Sequence, residues 1–194
     1  MPLGAFRSAL MGVAGVSSGE LFLVDSQTGT GVTEMDFTMD GSYREFIFKF
    51  YNLNPTTDNT ALVFQVNATD GADYDDSPIT TTYFEAYHQR GDASAGMAYS
   101  LNQDSNVNTS WVTICHQLGN DTDEQSNGEF RITNPSSSVF AKTFSSRFVT
   151  DQYNDYFEDN TCAGYVDDVT PLDDIRFKMS SGAFDGTITM WGIK

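Results

Sequence analysis

The chain has few residues suited to bond-making chemistry. Two histidines, His88 and His116, lie in YHQRG and CHQLG. Cys115 directly precedes His116, and neighbouring side chains of a strand point to opposite faces, so the two are not expected to pair. No G-x-S-x-G elbow, HExxH helix or Walker loop is present. The acidic residues offer many carboxylate pairs for glycoside hydrolysis, but no sequence spacing defines such a pair. They read first as a solvated acidic surface. No catalytic residue and no enzymatic activity is expected.

A cation site is the second candidate. NATDGADYDDS places Asp70, Asp73, Asp75 and Asp76 around a glycine. Hard cations such as calcium take about six to eight oxygen ligands, and such a turn supplies several. The closing glutamate of an EF-hand is missing, and the simpler reading is a hydrated acidic turn without a cofactor. The third candidate is VTDQYNDYFEDN, where Tyr153, Tyr156 and Phe157 interleave with Asp151, Asp155, Glu158 and Asp159. Aromatic faces beside carboxylates suit a sugar ring and its hydroxyls, a protein partner, or a loop pinned by core aromatics. The tripeptide Arg90-Gly91-Asp92 and the N-x-[ST] triplets at Asn67, Asn108 and Asn120 are matches that composition alone produces.

The elements that must carry these residues are strands. In YREFIFKFYNL, Phe46, Phe48 and Phe50 alternate with Glu45, Lys49 and Tyr51, and Ile47 breaks the pattern. Leu62, Phe64 and Val66 alternate in TALVFQVNA, as do Ile175, Phe177 and Met179 in DIRFKMS. Turn signals separate these runs at short spacing, among them Asp40-Gly41, NPTTDN, Asn127-Gly128 and Asp185-Gly186. About ten to twelve strands result, with no sustained helical period. The expectation is an all-β fold: an antiparallel two-sheet β-sandwich, jelly-roll-like, over residues 19–194.

Residues 1–18 read as an N-terminal arm. Its apolar stretch is broken by Gly12 and Gly15, which argues against a signal peptide, and no run is long enough for a membrane helix. Leu3, Phe6, Leu10 and Met11 cannot be buried by an arm alone, so they are candidates for docking on a neighbour. The last strand, DGTITMWGIK, turns Ile188 and Met190 inward and Trp191 and Ile193 outward. Those two outward groups are the other candidate assembly contact. Cys115 and Cys162 lack metal-type or redox-type spacing; buried free thiols are expected, with a disulfide as the alternative. The 194 residues carry 27 acids against 10 bases, a formal net charge of −17. Such a charge disfavours nucleic acid and anionic membranes as partners.

Several of these segments together resemble a known group. YREFIFKFYNLNPTTDNTALVFQVNATDG resembles a strand–turn–strand module of small structural proteins of tailed phages, especially marine and cyanobacterial ones. Tyr83 to His88, Gly119-Asn120 and NPSSSVFAKTF fit the same proteins, and MPLGAFR is similar to their openings. The most specific piece is the ending: Ile175, Phe177, Met179, Ser181-Gly182, Gly186-Thr187-Ile188, Met190 and Gly192-Ile193-Lys194. Trp191 and the acidic stretch 151–168 depart from the pattern. The resemblance implies a non-enzymatic virion protein on the particle surface. It would be a capsid decoration (cement or head-fibre) protein, or otherwise a tail-fibre or tail-tip component. Its partners would be other virion proteins and copies of itself, with a trimer favoured. The competing expectation is a carbohydrate-binding module for a host surface polysaccharide.

Overall fold

A computed structural model describes residues 19–68, 73–74 and 77–194. Among the described residues twelve strands run in chain order: β1 (Leu21–Val32), β2 (Glu34–Thr38), β3 (Glu45–Pro55), β4 (Thr60–Ala68), β5 (Ile79–Gln89), β6 (Ala95–Tyr99), β7 (Val112–Leu118), β8 (Ser126–Thr133), β9 (Lys142–Asp151), β10 (Tyr156–Val166), β11 (Leu172–Met179) and β12 (Phe184–Ile193). They form two antiparallel sheets, one of eight strands ordered β1-β12-β3-β8-β9-β10-β5-β6 and one of four ordered β2-β11-β4-β7. The sheets pack face to face as the expected sandwich. No helix of the described residues is long and apolar enough to cross a membrane.

Alternation in the sequence becomes the core directly. Phe46, Phe48 and Phe50 of β3 are buried together with Phe130 of β8, Phe144 and Phe148 of β9, Phe64 of β4 and Phe177 of β11. Their rings meet mostly edge to face, the favoured arrangement for aromatic quadrupoles, with Phe48 at 5.1 Å and Phe50 at 5.0 Å from Phe177. The final strand is not a frayed end. β12 sits between β1 and β3 and pairs with both along its length. The Gly19 N–H donates to the Lys194 carbonyl at 2.8 Å, tying the start of the described chain to its last residue. Gly192 has a steric reason: a Cβ there would lie 2.3 Å from the Tyr43 ring. That ring packs on Phe46 and Phe22, and the Lys194 ammonium lies over both Tyr43 and Phe22. The Gly-Ile-Lys ending is thus an anchoring device.

Two local features differ from simple alternation. β4 is buried on both faces, because Gln65 donates to carbonyls of Ser77, Thr109 and Ser110 in segments crossing the outside of the smaller sheet. Tyr74 and Trp111 stack over that face, with the Arg176 guanidinium 4.5 Å from the Tyr74 ring centre and the Lys178 ammonium 3.9 Å from that of Trp111. In β7, register shifts against β4 bulge the strand, and Gln117 takes a positive φ of 57°. Cys115 and His116 are therefore both buried and both directed at the larger sheet, instead of facing opposite ways.

Candidate functional site

Along β5 the inward positions run Ile79, Thr81, Tyr83, Glu85 and Tyr87; along β10 they run Tyr156, Glu158, Asn160 and Cys162. The register sets Tyr83 opposite Cys162, Glu85 opposite Asn160 and Tyr87 opposite Glu158. The interior thus changes from aromatic to polar toward one end of the sandwich. There, His116 reaches across from the smaller sheet. Its Nε2 lies 2.7 Å from Glu85 Oε2 and 3.3 Å from Glu158 Oε1.

These groups are well removed from water: the side chains of Glu158, His116 and Glu85 are 1%, 6% and 15% exposed. Gln152, held by a bridge between Leu118 and itself, donates to the other Glu158 oxygen. The Tyr83 hydroxyl donates to Asn160 Oδ1, and its ring meets the His116 ring edge to face at 5.5 Å. Asn160 is fully buried, and its Nδ2 has no hydrogen-bond partner. Burial disfavours the imidazolium of His116, but Glu158 and then Glu85 outweigh it and hold its pKa above the ordinary value. Burial raises the Glu85 pKa, with the Glu158 charge adding to the rise and His116 opposing it.

A cleft of about 250 Å³ opens beside the cluster, bordered by Glu85, Glu158, Tyr87, Tyr156, Gln117 and Asn154. Gly96 of β6 makes room for this wall, since a Cβ there would sit 2.8 Å from the Tyr87 hydroxyl. Two carboxyl groups facing one cleft are what a glycosidase needs. Here, however, the imidazole fills the gap, and the His and carboxylate ligand atoms lie within 4.8 Å of one another. His116 thus bridges the two carboxyl groups instead of leaving them free on either side of a bond.

The aromatic residues of the 149–160 stretch divide between surfaces. Phe157 and Tyr153 are exposed, whereas Tyr156 is half-buried at the cleft, 5.9 Å from Tyr87. Phe157 lies on the outer face of the sheet and Tyr156 on the inner, so the two do not share a platform. Trp191 and Ile193 are half-buried on the outer face. Trp191 flanks Ile47 in register, and Arg131 flanks it from the other side, which accounts for Ile47 being buried against the alternation. Leu3, Phe6, Leu10 and Met11 fall outside the described residues, as do Asp70, Asp75 and Asp76; Asp73 is exposed. Cys115 and Cys162 are free and buried, and burial pushes the Cys162 thiol up to about 12, so neither is poised to react. Arg90, Gly91 and Asp92 form the tight β5–β6 turn, with Arg90 paired to Asp155 at 3.3 Å.

The fold places the chain among antiparallel β-sandwich proteins. No family model matches the chain, and no curated protein matches it.

Proposed function

We propose that the chain is a non-enzymatic structural protein of a bacteriophage particle, displayed on the virion surface as a jelly-roll-type module. Capsid decoration is the favoured position, with a tail-fibre or tail-tip site as the other. The observation that carries this reading is the free edge of the larger sheet. β6 ends the strand order, and on its outward side Met97 and Tyr99 stand beside Ala86 and Phe84 of β5. Met97 is 77% exposed, and the neighbouring Leu101 75%. Monomeric proteins blunt such edges with short strands, charge, proline or bulges; β6 is short, but among the described residues no strand pairs with its far side and its outward face is apolar. An edge of that kind suits contact with other virion proteins or with copies of the same chain, as in the favoured trimer. The sequence resemblance points the same way.

Substituting both Met97→Lys and Tyr99→Lys should abolish incorporation into particles and self-association. Thermal stability should change by no more than about 0.5 kcal/mol, as for surface positions generally. Co-purification with particles and sedimentation velocity measure the first two. Normal incorporation of the double variant would overturn the edge as the contact.

One observation favours a second reading, a carbohydrate-binding module for a host polysaccharide. The cleft pairs the half-buried Tyr156 and Tyr87 with the amides of Gln117 and Asn154, an apolar wall with convergent polar groups. Saturable binding on a glycan array that is lost in Tyr156→Ala is the expected result of this reading. An array without saturable binding sinks it.

A further inference from the structure

We propose that Glu85, His116 and Glu158 form a binding site for one divalent transition-metal ion of the zinc class, with an open coordination position facing the adjacent cleft. The ligand set is one imidazole nitrogen and two carboxylates, drawn from three strands of two sheets. Tetrahedral ligands about 2.0–2.2 Å from zinc stand roughly 3.3 Å apart. His116 Nε2 and Glu158 Oε1 already do, at 3.3 Å. His116 Nε2 and Glu85 Oε2, at 2.7 Å, must open by roughly 0.6 Å to reach that spacing as the cation replaces the shared proton, and the two carboxylate oxygens already lie within 4.8 Å of each other.

Charge favours the ion. Two carboxyl groups share a nearly dry site with a single imidazole. Among the described residues no lysine or arginine ion-pairs with Glu85 or Glu158. A divalent cation with neutral imidazole brings the same site to neutrality. The surrounding groups also fit the outer sphere of a metal site, where ligand carboxylates are themselves hydrogen-bonded. Gln152 holds the second Glu158 oxygen in this way.

Asn160 supplies an independent pointer. It is fully buried directly across from Glu85, two residues from Glu158 on the same face, with an unpartnered Nδ2. An amide's oxygen and nitrogen exchange by a half-turn, and the Tyr83 hydroxyl serves either one, as donor or as acceptor. In the turned amide, Nδ2 donates to the Tyr83 hydroxyl and Oδ1 becomes a buried acceptor free to take a hydrogen bond from a water that a bound ion would hold. An imidazole with only two carboxylates suits zinc, cobalt or nickel; calcium wants about six to eight oxygens.

The test uses the full-length wild-type chain, freed of metal by chelation and titrated with Zn²⁺ and then Co²⁺. Calorimetry should give one equivalent. Zinc should shift the ring resonances of His116 but not those of exposed His88, and a hundredfold excess of calcium should not reverse the shift. Glu85→Gln and His116→Gln should each weaken zinc binding at least tenfold, while His88→Ala should not. No His116 response in the wild type, a response of His88 alone, or displacement by calcium would each overturn the proposal. The wild-type spectra decide even if a variant folds poorly.

Discussion

Phe177→Ala is expected to destabilise the protein by about 3–5 kcal/mol, the usual cost of removing a fully buried phenylalanine. Phe177 has no exposed surface and lies where the two sheets meet. Its ring is within 6.4 Å of five others: Phe48 and Phe50 from β3, Phe130 from β8, Phe64 from β4 and Phe37 from β2. Truncation therefore removes edge-to-face contacts to both sheets as well as leaving a cavity. Collapse into that cavity is hindered because its walls belong to strands fixed by pairing on both sides, β3 between β12 and β8 and β4 between β11 and β7. Chemical denaturation should show a lower midpoint with an unchanged slope. For a chain of this size the melting temperature should fall by on the order of 10 °C. Phe177→Leu, which keeps most of the volume, should cost markedly less. A loss below about 1 kcal/mol for the alanine variant would mean that the aromatic cluster does not join the sheets.

The aromatic core was legible because each strand repeats its inward type at every second residue, as β3 and β11 do. The same rule placed Ile188 and Met190 inside and Trp191 and Ile193 outside. It failed wherever something other than the facing sheet supplied burial. Gln65 is buried by carbonyls from distant segments, and no feature of TALVFQVNA announces them. At β7 the failure had consequences. Strict alternation separates Cys115 from His116, and a bulge with a positive φ at Gln117 turns both toward the larger sheet. The Glu85–His116–Glu158 cluster is assembled by three strands whose meeting depends on sheet order, which local spacing does not encode. Its one trace in the sequence is parity. Glu158 and Asn160 share the face of Cys162, and Glu85 shares that of Ile79 and Tyr83, so charged and amide groups occupy positions otherwise apolar.

Glu158→Ala tests that cluster in the absence of metal, and its expected cost is also about 3–5 kcal/mol, as when one member of a buried ion pair is removed. The loss is not the worth of the pair. It is the penalty of leaving His116 short of a partner and the buried Gln152 amide without its acceptor. The pH dependence separates this from a simple packing defect. His116 has a folded pKa above its ordinary value, the burial penalty being outweighed by Glu158 and Glu85. Its contribution is therefore fully present below about pH 6.5, the unfolded value, and is lost as pH rises through the higher folded value. Glu85 is also raised in the folded state, by burial first, so it has the same sign: its contribution is complete below its unfolded pKa and declines on the alkaline side. The general repulsion of a −17 protein also changes with pH, but it acts on wild type and variant alike and cancels in their difference. Urea unfolding of both proteins in chelator from pH 5 to 9 should thus give a stability difference that is largest at the acid end and shrinks above neutrality. A difference that stays flat with pH would place the damage in lost packing, and one that grows toward pH 9 would mean that His116 is held neutral in the folded protein.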